Sequence, residues 1–249
     1  MPLITDPAFY AAAVPAVLLM GISKSGFGAG FGALATPLMA LTIPVPQAAA
    51  IMLPVLAVAD AMGLAALARH ADRSLLRFLL PAGLLGIVVG TLLFGLLSAQ
   101  AVAGIVGALT LTFLAIRLFF PPHARGHAPP RWLGWLLGSV SGFTSFVAHA
   151  GGPPIGFYVL PLRLSPLVFS ATLSVFFAVV NLAKWPTYGW LGLIDATNML
   201  TSLMLLPVVP FGVWAGVRIV KVIPQPLFYR LFNVGMALTG TKLLWDGLR

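Results

Sequence analysis

Long, uninterrupted apolar segments constrain the fold of this chain more than any other feature of its sequence. Each is about 20 residues long, the length that a helix needs to cross the hydrocarbon core of a bilayer. Apolar residues in them do not alternate with polar ones, which excludes a transmembrane β-barrel. The sequence therefore predicts an all-α integral membrane protein that crosses the membrane several times. The predicted spans cover residues 47–68, 75–97, 101–120, 167–188, 196–217 and 227–245.

The composition agrees with a membrane protein. Hydrophobic residues make up 60% of the 249 residues and charged residues only 8%, whereas a soluble domain carries roughly 25% charged residues. No cysteine is present, which excludes disulfides, thiolate nucleophiles and cysteine metal sites. The chain has no glutamate, and its acids are Asp6, Asp60, Asp72, Asp195 and Asp246.

The formal charge of +9 arises mainly from arginines in the short segments between the spans. Such residues mark the cytoplasmic side and contact anionic lipid. We therefore expect a multi-pass protein of the cell (cytoplasmic) membrane, with lipid and not nucleic acid as its charged partner. The N-terminus lacks the basic region and small-residue cleavage site of a signal peptide, so we expect it to stay in the mature protein.

One order of segments occurs twice: a short apolar run, a break rich in small residues, a second short run and three long spans. The first break is GISKSGFGAGFG at 21–32, and the second contains HAGGPP at 149–154. Between the halves lies the basic, proline-rich PPHARGHAPPR, which cannot stay helical. We predict a first transmembrane repeat at 1–120, a cytoplasmic linker at 121–131 and a second repeat at 132–249.

The two breaks decide how the repeats are related. If each broken segment is a re-entrant hairpin, each half crosses the membrane an odd number of times and the halves are inverted. If each crosses once, the halves are parallel. Hairpins collect more of the lysines and arginines on one side, so the positive-inside rule favours inverted repeats.

Non-helical backbone at membrane depth must be buried in protein or line a wet cavity. Helices that begin after a break direct their N–H groups into it and favour an anion there. We predict an anion pocket between the breaks; an alternative reading is that the glycines only allow close helix packing. The candidate substrate-binding residues are Lys24, Ser25, Gly26, Gly28, Gly30, Gly32, Ser141, Gly142, Thr144, His149, Gly151 and Gly152.

Polar residues inside apolar segments are candidates for binding and coupling. Lys24 can pair with an anion or extend to the membrane interface. Asp60 can carry a proton, pair with Lys24, or lie near Arg69 at a helix end. His149 can carry a proton. Asn181 lies at the depth equivalent to Asp60, and Asp60, Asn181 and His149 are the candidate coupling residues. Lys184, one turn later, is expected at the cavity mouth or an interface.

The sequence contains no HExxH, GxSxG or P-loop motif, so we predict neither an enzyme nor a cofactor. A secondary transporter for a small anion fits best. The alternatives are an anion channel, an intramembrane enzyme that uses His149 and Asp60, and a membrane partner that does not transport. Proton or sodium coupling and assembly into a homo-oligomer are both compatible with the sequence.

The segments SKSGFGAGFGALATPLMAL and SGFTSFVAHAGGPPIGFYVLP resemble the two signatures of the sulfite exporter TauE/SafE family of membrane permeases. Chain length, the two-fold repeat and the basic linker also fit this family. The resemblance implies export of sulfite, organosulfonates or other small sulfur-containing or organic anions.

Overall fold

The computed structural model describes residues 4–24, 32, 35–93, 96, 98–119 and 129–248. Throughout these ranges the regular structure is helical, without strands, as predicted. The helices are α1 (Pro7–Ile22), α2 (Ala35–Met39), α3 (Val45–Leu67), α4 (Arg73–Leu93), α5 (Ala99–Phe119), α6 (Arg131–Ala148), α7 (Gly152–Val159), α8 (Pro166–Trp190), α9 (Ala196–Leu205), α10 (Val209–Val222) and α11 (Gln225–Gly247).

Within the described ranges, four helical stretches are long and apolar enough to cross a membrane, which confirms an integral membrane protein. They are Pro46–His70, Arg73–Leu93, Pro166–Trp190 and Ala196–Val222. The predicted spans at 101–120 and 227–245 correspond to α5 and α11, which have 21 and 23 residues.

The predicted span at 196–217 differs from the structure in one respect. Its helix is interrupted after Leu205 by the short 3₁₀ turn Leu206–Val208, and α10 then continues the path. Pro207 and Pro210 explain the interruption, because a proline lacks the N–H for the helical ladder and its ring clashes with the carbonyl four residues earlier. The two pieces together still have the length of one crossing.

The second break is a defined change of direction between α6 and α7. His149 ends α6 in the left-handed conformation, with φ of 52°. Its N–H donates to the Ser145 carbonyl (3.1 Å), and α7 begins at Gly152. α7 has only 8 residues, or about 12 Å of helix, which is too short to cross a bilayer.

The first break follows a similar helix. α1 has 16 residues, and Ser23 and Lys24 continue it in a wider, π-type turn. Gly32 donates its N–H to the Ser23 hydroxyl (2.7 Å), which ties the end of the break back to its beginning. The second short apolar run of the first half contains α2, Ala35–Met39.

The four main helix pairings between the halves are related by exchanging the halves. α4 packs against α6, and α1 packs against α10; α3 packs against α8, and α5 against α11. Glycines allow the first two contacts: a Cβ at Gly142 would lie 1.9 Å from the Gly83 carbonyl, and one at Gly21 would lie 3.0 Å from Gly212 backbone atoms. This matched packing agrees with a duplicated arrangement, while the relative orientation of the halves remains a prediction.

Four of the five aspartates lie at or near helix ends. Asp6, Asp72 and Asp195 accept backbone N–H bonds at the starts of α1, α4 and α9. Asp246 pairs with Lys242, one turn earlier on α11. These caps and this pair leave Asp60 as the acid in the middle of a span.

Candidate functional site

A buried polar cluster lies where α3 packs against α8. It consists of Lys24, Asp60, Ser145, His149, Asn181 and Lys184, and we call it the buried cluster. Lys24 follows α1, Asp60 lies on α3, and Asn181 and Lys184 lie on α8. Each half of the chain therefore contributes to it.

Lys24 and Asp60 form a buried ion pair. The Lys24 ammonium donates to Asp60 Oδ1, and the two residues are 8% and 5% exposed. Asp60 Oδ2 accepts a hydrogen bond from the side-chain amide of Asn181 (2.7 Å), which lies on α8 in the second half of the chain. Of the three possibilities given for Asp60, the structure shows the pairing with Lys24, and the Lys24 side chain turns inward instead of extending to an interface.

Lys184 is the most enclosed charged group of the cluster. It is 0% exposed, so the expectation of a cavity mouth or interface was wrong. Its ammonium lies 2.8 Å from each of Ser145 Oγ, Asn181 Oδ1 and His149 Nδ1. These three acceptors match the three N–H groups of an ammonium, and none of them is a carboxylate.

The hydrogen bonds decide the tautomer of His149. Nε2 lies 2.9 Å from the Ala49 carbonyl on α3, and a carbonyl can only accept, so Nε2 carries the proton. Nδ1 is then the acceptor for Lys184. The second break is thus tied to α3 through His149. It is tied to α8 through Lys184 and through Tyr188, whose hydroxyl donates to the Phe146 carbonyl (2.5 Å).

The buried cluster contains two lysines and one acid. Lys24 and Lys184 are its basic groups, and Asp60 is its acid; the sequence has no glutamate, and the other aspartates are engaged elsewhere. A buried ammonium without a counter-charge costs several kcal/mol. With both lysines protonated, an anion would balance the second ammonium, so the cluster is suited to attract one.

A cavity of about 30 Å³ adjoins the cluster, room for roughly two water molecules. Its apolar wall includes Met20, Met52, Leu56 and Phe177. Its polar lining comes from both halves: Ser23, Lys24, Thr36, Ser145, His149 and Asn181.

Thr36 is the one polar group of this lining whose hydroxyl is buried without a hydrogen-bond partner, within the ranges that the structure describes. The residue is 0% exposed and is the second residue of the short helix α2. A buried hydroxyl without a partner is unfavourable, and a ligand oxygen in the cavity would satisfy it.

A sequence model of the family described as sulfite exporter TauE/SafE matches residues 13–243, which include both breaks and the whole cluster. The chain belongs to the sulfite exporter TauE/SafE family. Members of this family are membrane transporters and not enzymes, so the intramembrane enzyme is set aside. No curated protein and no solved structure shows a significant match to the chain.

Several residues predicted for the site line the cavity of this TauE/SafE protein. They are Lys24, Gly32, His149, Gly152 and Asn181. Asp60 is not part of the lining but is paired with Lys24. Ser25, Gly26, Gly28 and Gly30 lie outside the described residues.

Other predicted residues build the second break itself. The Ser141 hydroxyl donates to the Gly151 carbonyl (2.7 Å), and the Thr144 hydroxyl donates to the Ala150 carbonyl (3.1 Å). Gly142 contacts the backbone of α4, and Gly151 contacts the backbone of α6. The Ser141 and Thr144 hydroxyls satisfy carbonyls, and Gly142 and Gly151 permit close packing. Together these residues hold the site in place.

The amide donors of the second break are few. α7 starts Gly152-Pro153-Pro154, and prolines have no N–H. The backbone donors there are therefore confined to Gly151 and Gly152. Side chains, above all Lys24 and Thr36, provide most of the donor capacity in the cavity lining of this TauE/SafE transporter, and Lys184 lies behind the lining residues Ser145, His149 and Asn181.

Sequence reasoning did not select Lys184 or Thr36 for binding. Lys184 follows Asn181 by three residues on α8, a spacing that places both on one helix face; this signal was available. Thr36 lies at the start of a short helix after the glycine-rich break, where a hydroxyl is usually read as a helix cap.

Proposed function

We propose that this chain is a secondary transporter that exports a small anion, such as sulfite or an organosulfonate, across the cytoplasmic membrane. Membership of the TauE/SafE family supports an exporter-type membrane transporter for sulfite or sulfonates. The observation that carries the proposal is the presence of two buried lysines against one acid in the buried cluster, which adjoins a cavity.

In this proposal, the anion lies between Lys24 and Thr36. Lys24 contributes charge, and Thr36 Oγ1 contributes a hydrogen bond that no described residue takes. The methionine, leucine and phenylalanine side chains of the wall contact the organic part of a sulfonate. Because the cavity has room for only about two waters, these walls must separate before a sulfonate enters.

Alternating access follows from the way the halves meet at the site. Three hydrogen bonds join them near the cavity: Asn181 to Asp60 (2.7 Å), His149 to the Ala49 carbonyl (2.9 Å) and Ser202 to the Ile51 carbonyl (2.7 Å). Rocking of one half against the other would break such bonds on one side of the anion. The matched helix pairings support two repeats, and we propose that these are inverted.

Coupling to protons or sodium ions belongs to the same proposal, with Asp60, Asn181 and His149 as its residues. An anion channel would use the same cavity without alternation. Saturable exchange of labelled anion between the two sides of a liposome is expected of a carrier, and a flux that stays linear in concentration would indicate the channel.

Binding is tested by thermal unfolding of the purified protein in detergent with a panel of sulfite, methanesulfonate, sulfoacetate, taurine and simple carboxylates. An anion at a hundredfold over its Kd should stabilise the protein by about 2.7 kcal/mol. We expect this shift in the wild type and not in Lys24→Ala. If no anion shifts the unfolding temperature, the proposed anion site is wrong.

A further inference from the structure

The charge balance of the buried cluster bears on which anions the cavity accepts. We infer that the cavity selects anions with a single negative charge, and that a doubly charged oxyanion enters only after it has taken up one proton. The inference rests on the proposed function, and it adds the charge class of the substrate.

The first step is the state of Lys184. Its three acceptors, Ser145 Oγ, Asn181 Oδ1 and His149 Nδ1, are all uncharged. The Asn181 oxygen must accept, because the amide nitrogen of that residue donates to Asp60. His149 Nδ1 must accept, because Nε2 faces a carbonyl. We take Lys184 to be an ammonium whose third N–H is accepted by the Ser145 hydroxyl, and none of its three contacts is a carboxylate.

The second step is the state of Lys24. It is neutralised by Asp60, which it contacts directly. The groups that titrate or carry charge around the cavity are then Lys24 after α1, Asp60 on α3, His149 in the second break, and Lys184 and Tyr188 on α8. The sum over these groups is one positive charge.

The third step is the cost of burying charge. The energy of a buried ion rises with the square of its charge, so dehydrating a dianion costs about four times as much as dehydrating a monoanion of equal size. A monoanion brings the site to neutrality. A dianion leaves it with a net negative charge as large as the positive charge that was there before. For a dianion, the higher cost of dehydration therefore offsets the free energy gained by pairing with the ammonium. For a monoanion, most of that free energy is retained.

Methanesulfonate and sulfate provide the direct comparison, because they have the same tetrahedral shape and differ by one charge. Their dissociation constants are measured by titration calorimetry with the purified wild-type protein. We expect methanesulfonate to bind more tightly by at least about tenfold, which corresponds to 1.4 kcal/mol. Equal affinities, or tighter binding of sulfate, would overturn the inference and leave the anion site intact. Failure of both anions to bind would count against the proposed function itself.

A change in the charge of the buried cluster should alter the ratio of the affinities for methanesulfonate and sulfate. Asp60→Asn keeps the shape of the side chain and adds one positive charge, so the ratio of affinities should shift toward sulfate by about tenfold. Asp246→Asn makes the same change at the Lys242 pair on α11, away from the cavity, and should leave the ratio unchanged. An unaltered ratio in Asp60→Asn, or an equal shift in both variants, would contradict the inference.

A second measurement needs no variant and holds even if Asp60→Asn does not fold. Sulfite exchanges its second proton near neutral pH, whereas methanesulfonate stays monovalent. Between about pH 6 and 8, the affinity for total sulfite relative to methanesulfonate should fall as pH rises, approaching tenfold per unit. Dividing by methanesulfonate cancels titration of His149 and the lysines. A ratio that rises with pH would show that the dianion is preferred, and a constant ratio would show that both forms bind equally; either result would overturn the inference.

Discussion

Lys184 places a basic group at a fully buried position among uncharged partners. Lys24, in contrast, is already paired with Asp60. The proposed function gives these two lysines different tasks. Lys24 contacts both the acid and the cavity, and protonated Lys184 would provide the charge that an anion balances.

Removing the Lys184 charge should remove the attraction for anions. In Lys184→Met the cluster becomes neutral, and we expect the affinity for methanesulfonate to fall by at least about tenfold. Lys242→Met, at the partly exposed pair on α11, is the control and should bind normally. Calorimetry on both purified variants checks this, and unchanged binding in Lys184→Met would refute the role of its charge.

The Thr36 hydroxyl should matter for binding and not for folding. Thr36→Val keeps the size of the side chain and removes a hydroxyl without a partner in the described structure. We expect the free energy of unfolding to stay the same or rise, and the affinity for the anion to fall about tenfold, from the loss of one hydrogen bond of about 1.5 kcal/mol.

Thr201→Val is the matched control for Thr36. Thr201 is equally buried, but its hydroxyl already donates to the Thr197 carbonyl within α9 (2.7 Å). This variant should bind the anion with wild-type affinity. If Thr36→Val also binds normally, Thr36 does not contact the anion.

At the scale of elements, the second break is built by close backbone contact and by hydroxyls that satisfy carbonyls. Apolar runs and small-residue clusters in the sequence predicted the long helices and the position of the second break. They did not predict that Lys184 points inward, because nearly every face of α8 is apolar and its rotation depends on packing against α3. They also did not predict the interruption after Leu205, because Pro207 and Pro210 lie within an otherwise continuous apolar run.

The α4–α6 contact tests the packing role of these glycines. A Cβ at Gly142 would lie 1.9 Å from the Gly83 carbonyl, so Gly142→Ala must push the two helices apart. We expect it to lower the unfolding temperature and to reduce folded yield. Gly189→Ala on α8 is the control, because its nearest neighbour atom would be 3.9 Å away. Equal stability of both variants would show that close approach is not required.

At the scale of the molecule, both halves contribute to one site, and their relative orientation decides how it opens. The chain has no cysteine, so single cysteines report which side of the membrane a position faces. Inverted repeats place Ala196, at the start of α9, outside the cell; parallel repeats place it in the cytoplasm.

Ala196→Cys should therefore react with a membrane-impermeant thiol reagent added to intact cells. Thr42→Cys, between α2 and α3, faces outside in both arrangements and serves as the positive control. Arg131→Cys, at the start of α6, faces the cytoplasm in both and should stay unlabelled. Protection of Ala196→Cys in cells where Thr42→Cys is labelled would support parallel repeats.

The most direct measurement is counterflow of labelled methanesulfonate into liposomes that contain the purified protein and an excess of unlabelled anion. We predict saturable, transient accumulation with the wild type and with Lys242→Met, and its loss with Lys184→Met. Accumulation that survives in Lys184→Met would show that transport does not use the buried cluster. The absence of accumulation in the wild type, in protein that this anion does stabilise, would show that the site binds anions without carrying them.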